Sequence, residues 1–93
     1  MAKRKTKIEI PPDQLKVLLR GIERVWNEIA PDLDTMDPEF DNYSAIECCV
    51  DANRLEDSDK AASAIFRKVR DSYPDLDGYY EFLKYLERNI NLV

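Results

Sequence analysis

The sequence contains no histidine. That removes the side chain that titrates near neutral pH, the usual general base of hydrolase triads and the commonest zinc ligand. Cysteine occurs only as the neighbouring pair Cys48 and Cys49. Adjacent side chains on a helix point about 100° apart, so the two are badly placed to bond to each other. With no third thiol to pair with, they read as small core residues in a reducing compartment. The flanking acids Glu47 and Asp51 disfavour a thiolate and so argue against a reactive nucleophile.

There are only two glycines, and no glycine-rich loop of the kind that cradles phosphate. No apolar run approaches the roughly 20 residues that a membrane span needs, so no membrane partner is expected. The N-terminus carries Lys3, Arg4, Lys5 and Lys7 but lacks the apolar stretch of a signal peptide. Ala2 stands where myristoylation would require glycine. The expected location is the cytoplasm of the producing or infected cell.

What remains is a chain of 93 residues, 44% hydrophobic and 35% charged, with a net charge of −5. This is the composition of one small folded domain rather than a disordered segment. The charge is unevenly placed. Residues 1–7 carry +4, residues 8–27 are balanced, residues 28–59 hold eleven acids against Arg54 alone, and residues 60–93 carry +1.

Taken in order, residues 1–10 read as a basic arm and residues 11–93 as a single acidic helical domain. Lys7-Ile8-Glu9-Ile10 alternates like a short strand, but no partner strand follows, so Ile8 and Ile10 are expected to dock on helices. Pairing of that edge with another protein is the functional alternative. Pro11-Pro12-Asp13 opens a helix over 12–30, because proline and an early acid suit the first turn. Leu15, Leu18, Leu19, Ile22, Val25, Trp26 and Ile29 form its stripe, and Pro31 stops it. Trp26 is expected to be buried.

Residues 31–43 read as a loop anchored by Phe40 and Tyr43. A second helix follows over 42–55, with Ser44 and Glu47 resembling a capping box. Tyr43, Ile46, Cys49 and Val50 share one face, and Ala45, Cys48, Ala52 and Leu55 continue the apolar surface. Such a helix is expected at the centre, its small residues admitting a close neighbour. Asp57-Ser58 then caps a third helix over 58–72, with Ala62, Ile65, Phe66, Val69 and Tyr73 inward and Lys60, Arg67 and Arg70 outward. After Pro74, a fourth helix over 78–90 carries Tyr79, Phe82, Leu83, Leu86 and Ile90. The fold class is therefore all-α: four helices packed in one layer around the second, with contacts between short-loop neighbours dominant. Pro31-Asp32-Leu33-Asp34 recurs as Pro74-Asp75-Leu76-Asp77, which raises the reading of two helical hairpins from a duplication.

The acid-rich segment invites a calcium reading that its spacing defeats. From Asp32, position 5 of an EF-hand loop is Met36 and position 12 is Tyr43; from Asp37, position 12 is Cys48. No metal or cofactor is expected, and without a nucleophile beside its base neither is an enzyme. The basic face of the third helix could touch phosphate, but an acidic domain repels a nucleic-acid backbone, which counts against direct binding.

Two readings of function stand. In the first, Asp32, Asp34, Asp37, Glu39, Asp41, Glu47 and Asp51 engage a basic surface of a partner protein, as a small inhibitor that competes with nucleic acid by imitating its charge. In the second, the chain is a structural or adaptor protein that forms a homodimer through the apolar face of the second helix. The outward residues Val17 and Tyr85 and the small-residue side of Ala45, Cys48 and Ala52 motivate it.

Overall fold

A computed structural model describes residues 8–32, 40–51 and 53–93. Among them there are five α-helices and no strand. The all-α class is as expected, with one more helix than the sequence pattern suggests.

Helix α1 (Pro12–Ile29) begins on the proline as expected and carries Asp13 in its first turn. Leu18, Ile22, Val25 and Trp26 are buried, and Lys16, Arg20, Glu23 and Asn27 face out. A single 3-10 turn, Ala30–Asp32, ends it. The Trp26 ring stacks on Phe40 with centroids 6.0 Å apart, so the far end of the connecting segment is pinned to α1. Ile8 and Ile10 are buried in the same core without forming a strand.

The expected second helix is two helices. Helix α2 (Asn42–Val50) starts from Asp41, whose carboxylate accepts from the Ser44 backbone N–H and hydroxyl, each at 2.9 Å. Asp41 therefore makes the cap, and Ser44 already lies within the first turn. Helix α2 ends at Asp51, in extended backbone, and Asn53 then takes the left-handed conformation with φ 58°. Asparagine tolerates that region better than most residues. The short helix α3 (Arg54–Ser58) follows. The Arg54 guanidinium reaches back to the Cys48 carbonyl at 2.8 Å, supplying a donor to the last turn of α2. The break has a tertiary cause as well. It turns Leu55 into the core beside Gly21 of α1, instead of leaving it on the α2 wheel.

Asp59, not Asp57 or Ser58, caps helix α4 (Lys60–Ser72), accepting from the Ala62 N–H at 3.2 Å. Helix α5 (Leu76–Asn89) follows the turn at Pro74 and starts two residues earlier than the pattern suggests. Phe66 of α4 and Phe82 of α5 stack at 5.1 Å, joining these helices at the core.

The helices do not surround α2. Helices α1, α2, α5 and α4 form a closed circuit in which each packs on the next, with α3 set against α1, α2 and α4. The most extensive pairing joins α1 to α4, which are remote in sequence, so short-loop neighbours do not dominate. Its closeness comes from Gly21, where a Cβ would lie only 2.3 Å from the Ala62 Cβ. The intimate approach expected of the small residues of α2 is thus made by α1. Ala45 is nevertheless fully buried, and Val17 and Tyr85 are half-buried against the core rather than outward. Ala52 lies outside the described residues, as does part of the first copy of the Pro-Asp-Leu-Asp repeat.

The joint between α2 and α5 is closed by one side chain. The Asn42 amide donates to the carbonyls of Glu87 at 3.2 Å and Ile90 at 2.7 Å, and its oxygen accepts from the Leu92 N–H at 2.7 Å. The start of α2 is thereby fixed to the end of α5. Cys48 and Asp51, at the other end of α2, lie with Tyr79 near the start of α5. The two helices run antiparallel.

Candidate functional site

Four of the seven acids expected to meet a partner fall in the described residues, and each is exposed: Asp32, Asp41, Glu47 and Asp51. Asp34, Asp37 and Glu39 lie outside them, as does the basic segment 1–7. The four are not equivalent. Asp32 closes the 3-10 turn after α1. Asp41 is committed to Ser44, and those hydrogen bonds hold its carboxyl below the usual value. Glu47 stands on the outer side of α2, because Ala45, Ile46 and Cys49 are held in the core, and Asp51 follows at its C-terminal cap.

Glu47 and Asp51 share a cleft of about 440 Å³ with Ser44, Cys48, Arg54 and Tyr79. Burial raises the Tyr79 phenol above its ordinary value; Arg70 opposes that rise, and the Glu47 and Asp51 carboxylates add to it. Burial and then Glu47 raise Tyr43 in the same way. The acids therefore act on the aromatic side chains between α2 and α5 as well as on solvent.

Tyr79 is also a wall of a second cleft, of about 920 Å³, formed where α4 turns into α5. Arg70 lies over its ring, 5.6 Å from the centroid. Tyr73, Pro74 and Leu76 supply the apolar part, and Leu76 is 64% exposed. Arg54, Tyr79 and Leu76 were not among the candidate site residues read from the sequence, where Tyr79 was expected on the apolar face of its helix. A signal existed for Leu76, since a leucine between Asp75 and Asp77, before the first buried turn of its helix, has little core to enter.

The basic face of α4 is partly engaged within the chain. Lys60, Arg67 and Arg70 are exposed as expected, but Arg67 pairs with Glu56 and Arg70 with the Tyr79 ring. Burial pushes the Cys49 thiol up to about 12, leaving it protonated at neutral pH. Among the described residues no three cysteine or acidic side chains gather as a metal site, and no helix is long and apolar enough to cross a membrane. Asp37 and Glu39, the first acids of the calcium spacing from Asp37, lie outside the described residues. No family model, curated protein or solved structure matches the chain.

Proposed function

We propose that the chain is a non-enzymatic, acidic protein-binding module of the cytoplasm that engages a basic surface of a partner protein, competing there with nucleic acid. The observation that supports it is the pair Glu47 and Asp51, both exposed, one on and one just past the end of a helix whose opposite face is locked in the core. They project from the segment in which eleven acids face a single base. Such a field steers a cationic partner and raises its association rate, and salt screens it over about 8–10 Å near physiological ionic strength. Direct contact with nucleic acid is disfavoured by the same field and by the internal engagement of Arg67 and Arg70.

The test is capture of the partner followed by a salt titration of the complex. Glu47→Lys with Asp51→Lys should slow association steeply while leaving the helical circular-dichroism signal intact, because both side chains are exposed. Unchanged binding by that double variant refutes the acidic-surface reading.

A second reading, a structural or adaptor protein that pairs with its own copy, is favoured by the exposure of Leu76 and Tyr80, at 64% and 45%. Ala45 is covered within the chain, which counts against the small-residue side of α2 as that contact and favours the start of α5. Light scattering at low micromolar concentration distinguishes a dimer from a monomer.

A further inference from the structure

The two clefts meet at Tyr79, which lines both. Glu47 and Asp51 of the α2 end line the first with it, Pro74 and Leu76 line the second, and Arg70 lies over its ring. The two clefts therefore adjoin across Tyr79, and together they form a surface groove with an acidic end on α2 and an apolar end at the turn between α4 and α5. Six charged side chains line its length: Glu47, Asp51, Asp71 and Asp75 against Arg54 and Arg70. The two cations are directed inward, Arg54 to the Cys48 carbonyl and Arg70 to the Tyr79 face. The acids outnumber the bases four to two. Leu76, 64% exposed, lines the second cleft and offers an apolar contact beside that charge.

We propose that this groove takes a short segment of a partner protein in which lysine or arginine lies beside a large apolar side chain. The cation sits toward Glu47 and Asp51, and the apolar side chain sits on Leu76 and Pro74. This deepens the acidic-surface reading and rests on it: charge brings the partner in, and the apolar end selects among basic sequences. Charge alone would bind any cationic surface. An apolar cleft alone would take any exposed apolar chain. Both ends at one groove set a sequence requirement of two residue types in a fixed order.

The probes are three synthetic peptides of equal length: one of lysine and leucine, one of lysine and serine, and one of glutamate and leucine. Fluorescence anisotropy at moderate salt gives their affinities for the full chain. The lysine–leucine peptide should bind at least about tenfold more tightly than either of the others, the difference expected from burying one leucine side chain. Leu76→Ser should remove that advantage over the lysine–serine peptide and leave the residual binding of the latter unchanged. Because Leu76 is exposed, this variant should keep its fold, which circular dichroism verifies. Equal affinity for the lysine–leucine and lysine–serine peptides overturns the groove but leaves the acidic-surface reading standing. Absence of binding by both lysine peptides overturns the two together. A wild-type mass that doubles with concentration, and reverts to monomer in Leu76→Ser, assigns the apolar end to a second copy and overturns the partner segment.

Discussion

Replacing Gly21 by alanine tests the central joint of the fold, because local propensity and tertiary packing predict opposite outcomes. In an isolated helix, alanine is favoured over glycine by about 1 kcal/mol, so propensity alone makes Gly21→Ala stabilising. In this chain the added Cβ would lie 2.3 Å from the Ala62 Cβ, more than an ångström inside the 3.4 Å at which ordinary contact begins. It cannot slip sideways, since Leu55 Cδ1 and the Asp59 carboxylate stand at 3.3 and 3.4 Å. Helices α1 and α4 must therefore separate along their most extensive contact. Overpacking of this kind costs about 1–3 kcal/mol, and after the propensity gain the expected net loss is roughly 1–2 kcal/mol. For a domain of this size that corresponds to a fall in Tm of roughly 5–15 °C. Ala62→Gly alone should also destabilise, by about 1 kcal/mol or more, through lost propensity and a lost buried methyl. Together the two changes exchange the small residues across the joint, and the double variant should be more stable than the sum of the singles predicts by about 1 kcal/mol or more. Urea unfolding followed by circular dichroism and by Trp26 emission measures all four proteins. If Gly21→Ala equals or exceeds the wild type, the close approach of α1 and α4 is refuted.

Two further predictions concern other parts of the same core. Asn42→Asp keeps the acceptor for the Leu92 N–H but replaces both donors with a charge facing the Glu87 and Ile90 carbonyls. It should cost about 1–3 kcal/mol in urea unfolding, and a loss below about 0.5 kcal/mol would show that the clasp contributes little. The two thiols should separate under a thiol reagent at mildly alkaline pH, the half-buried Cys48 reacting in the native state and the buried Cys49 only on unfolding. Burial lifts Cys49 from 9.0 to about 12, so between those values the native chain retains a proton that the unfolded chain has lost. Its contribution is complete below about pH 9 and is lost as pH rises toward 12. Tyr43 and Tyr79 act in the same direction above their ordinary value of 10.0. Urea midpoints should fall across that range, and less steeply in Cys49→Ala; parallel profiles would refute the contribution assigned to Cys49.

The parts of the fold legible in the sequence are those set by neighbours along the chain. Pro12 and the stripe from Leu15 to Ile29 define α1 because proline geometry and a 3.6-residue period need no knowledge of the remaining helices. The burial of Trp26 follows from its place in that stripe, and that of Ile8 and Ile10 from their alternation just before it. The break between α2 and α3 was not legible, because the wheel over residues 44–55 is consistent with one helix. What divides it is the seat for Leu55 beside Gly21 and the reach of Arg54 to the Cys48 carbonyl, both tertiary. Apolar circumference likewise made α2 look central, whereas the packing order was carried by Gly21. A glycine beside Ile22 and between Leu18 and Val25, on a stripe otherwise of large side chains, marks the point where another backbone comes close. That signal lies in the sequence, but its partner Ala62 does not announce itself.

The candidate site divides along the same line. Glu47 and Asp51 could be read as a pair because their spacing is helical and their face is opposite Ile46 and Cys49. Their neighbours Tyr79 and Leu76 could not, because they come from a helix thirty residues or so further on, brought alongside by the antiparallel packing of α2 and α5. That packing is fixed at its far end by Asn42, which ties the start of α2 to the end of α5. The relative register of the acids and the aromatic groove therefore depends on a polar side chain that touches neither. Stability and the proposed recognition are coupled through this joint. A change at Asn42 that leaves the chain folded should still disturb the groove, since α2 and α5 would lose the hydrogen bonds that fix their offset. The exposed carboxylates give the surface its charge, but the α2–α5 joint sets where that charge lies relative to Leu76.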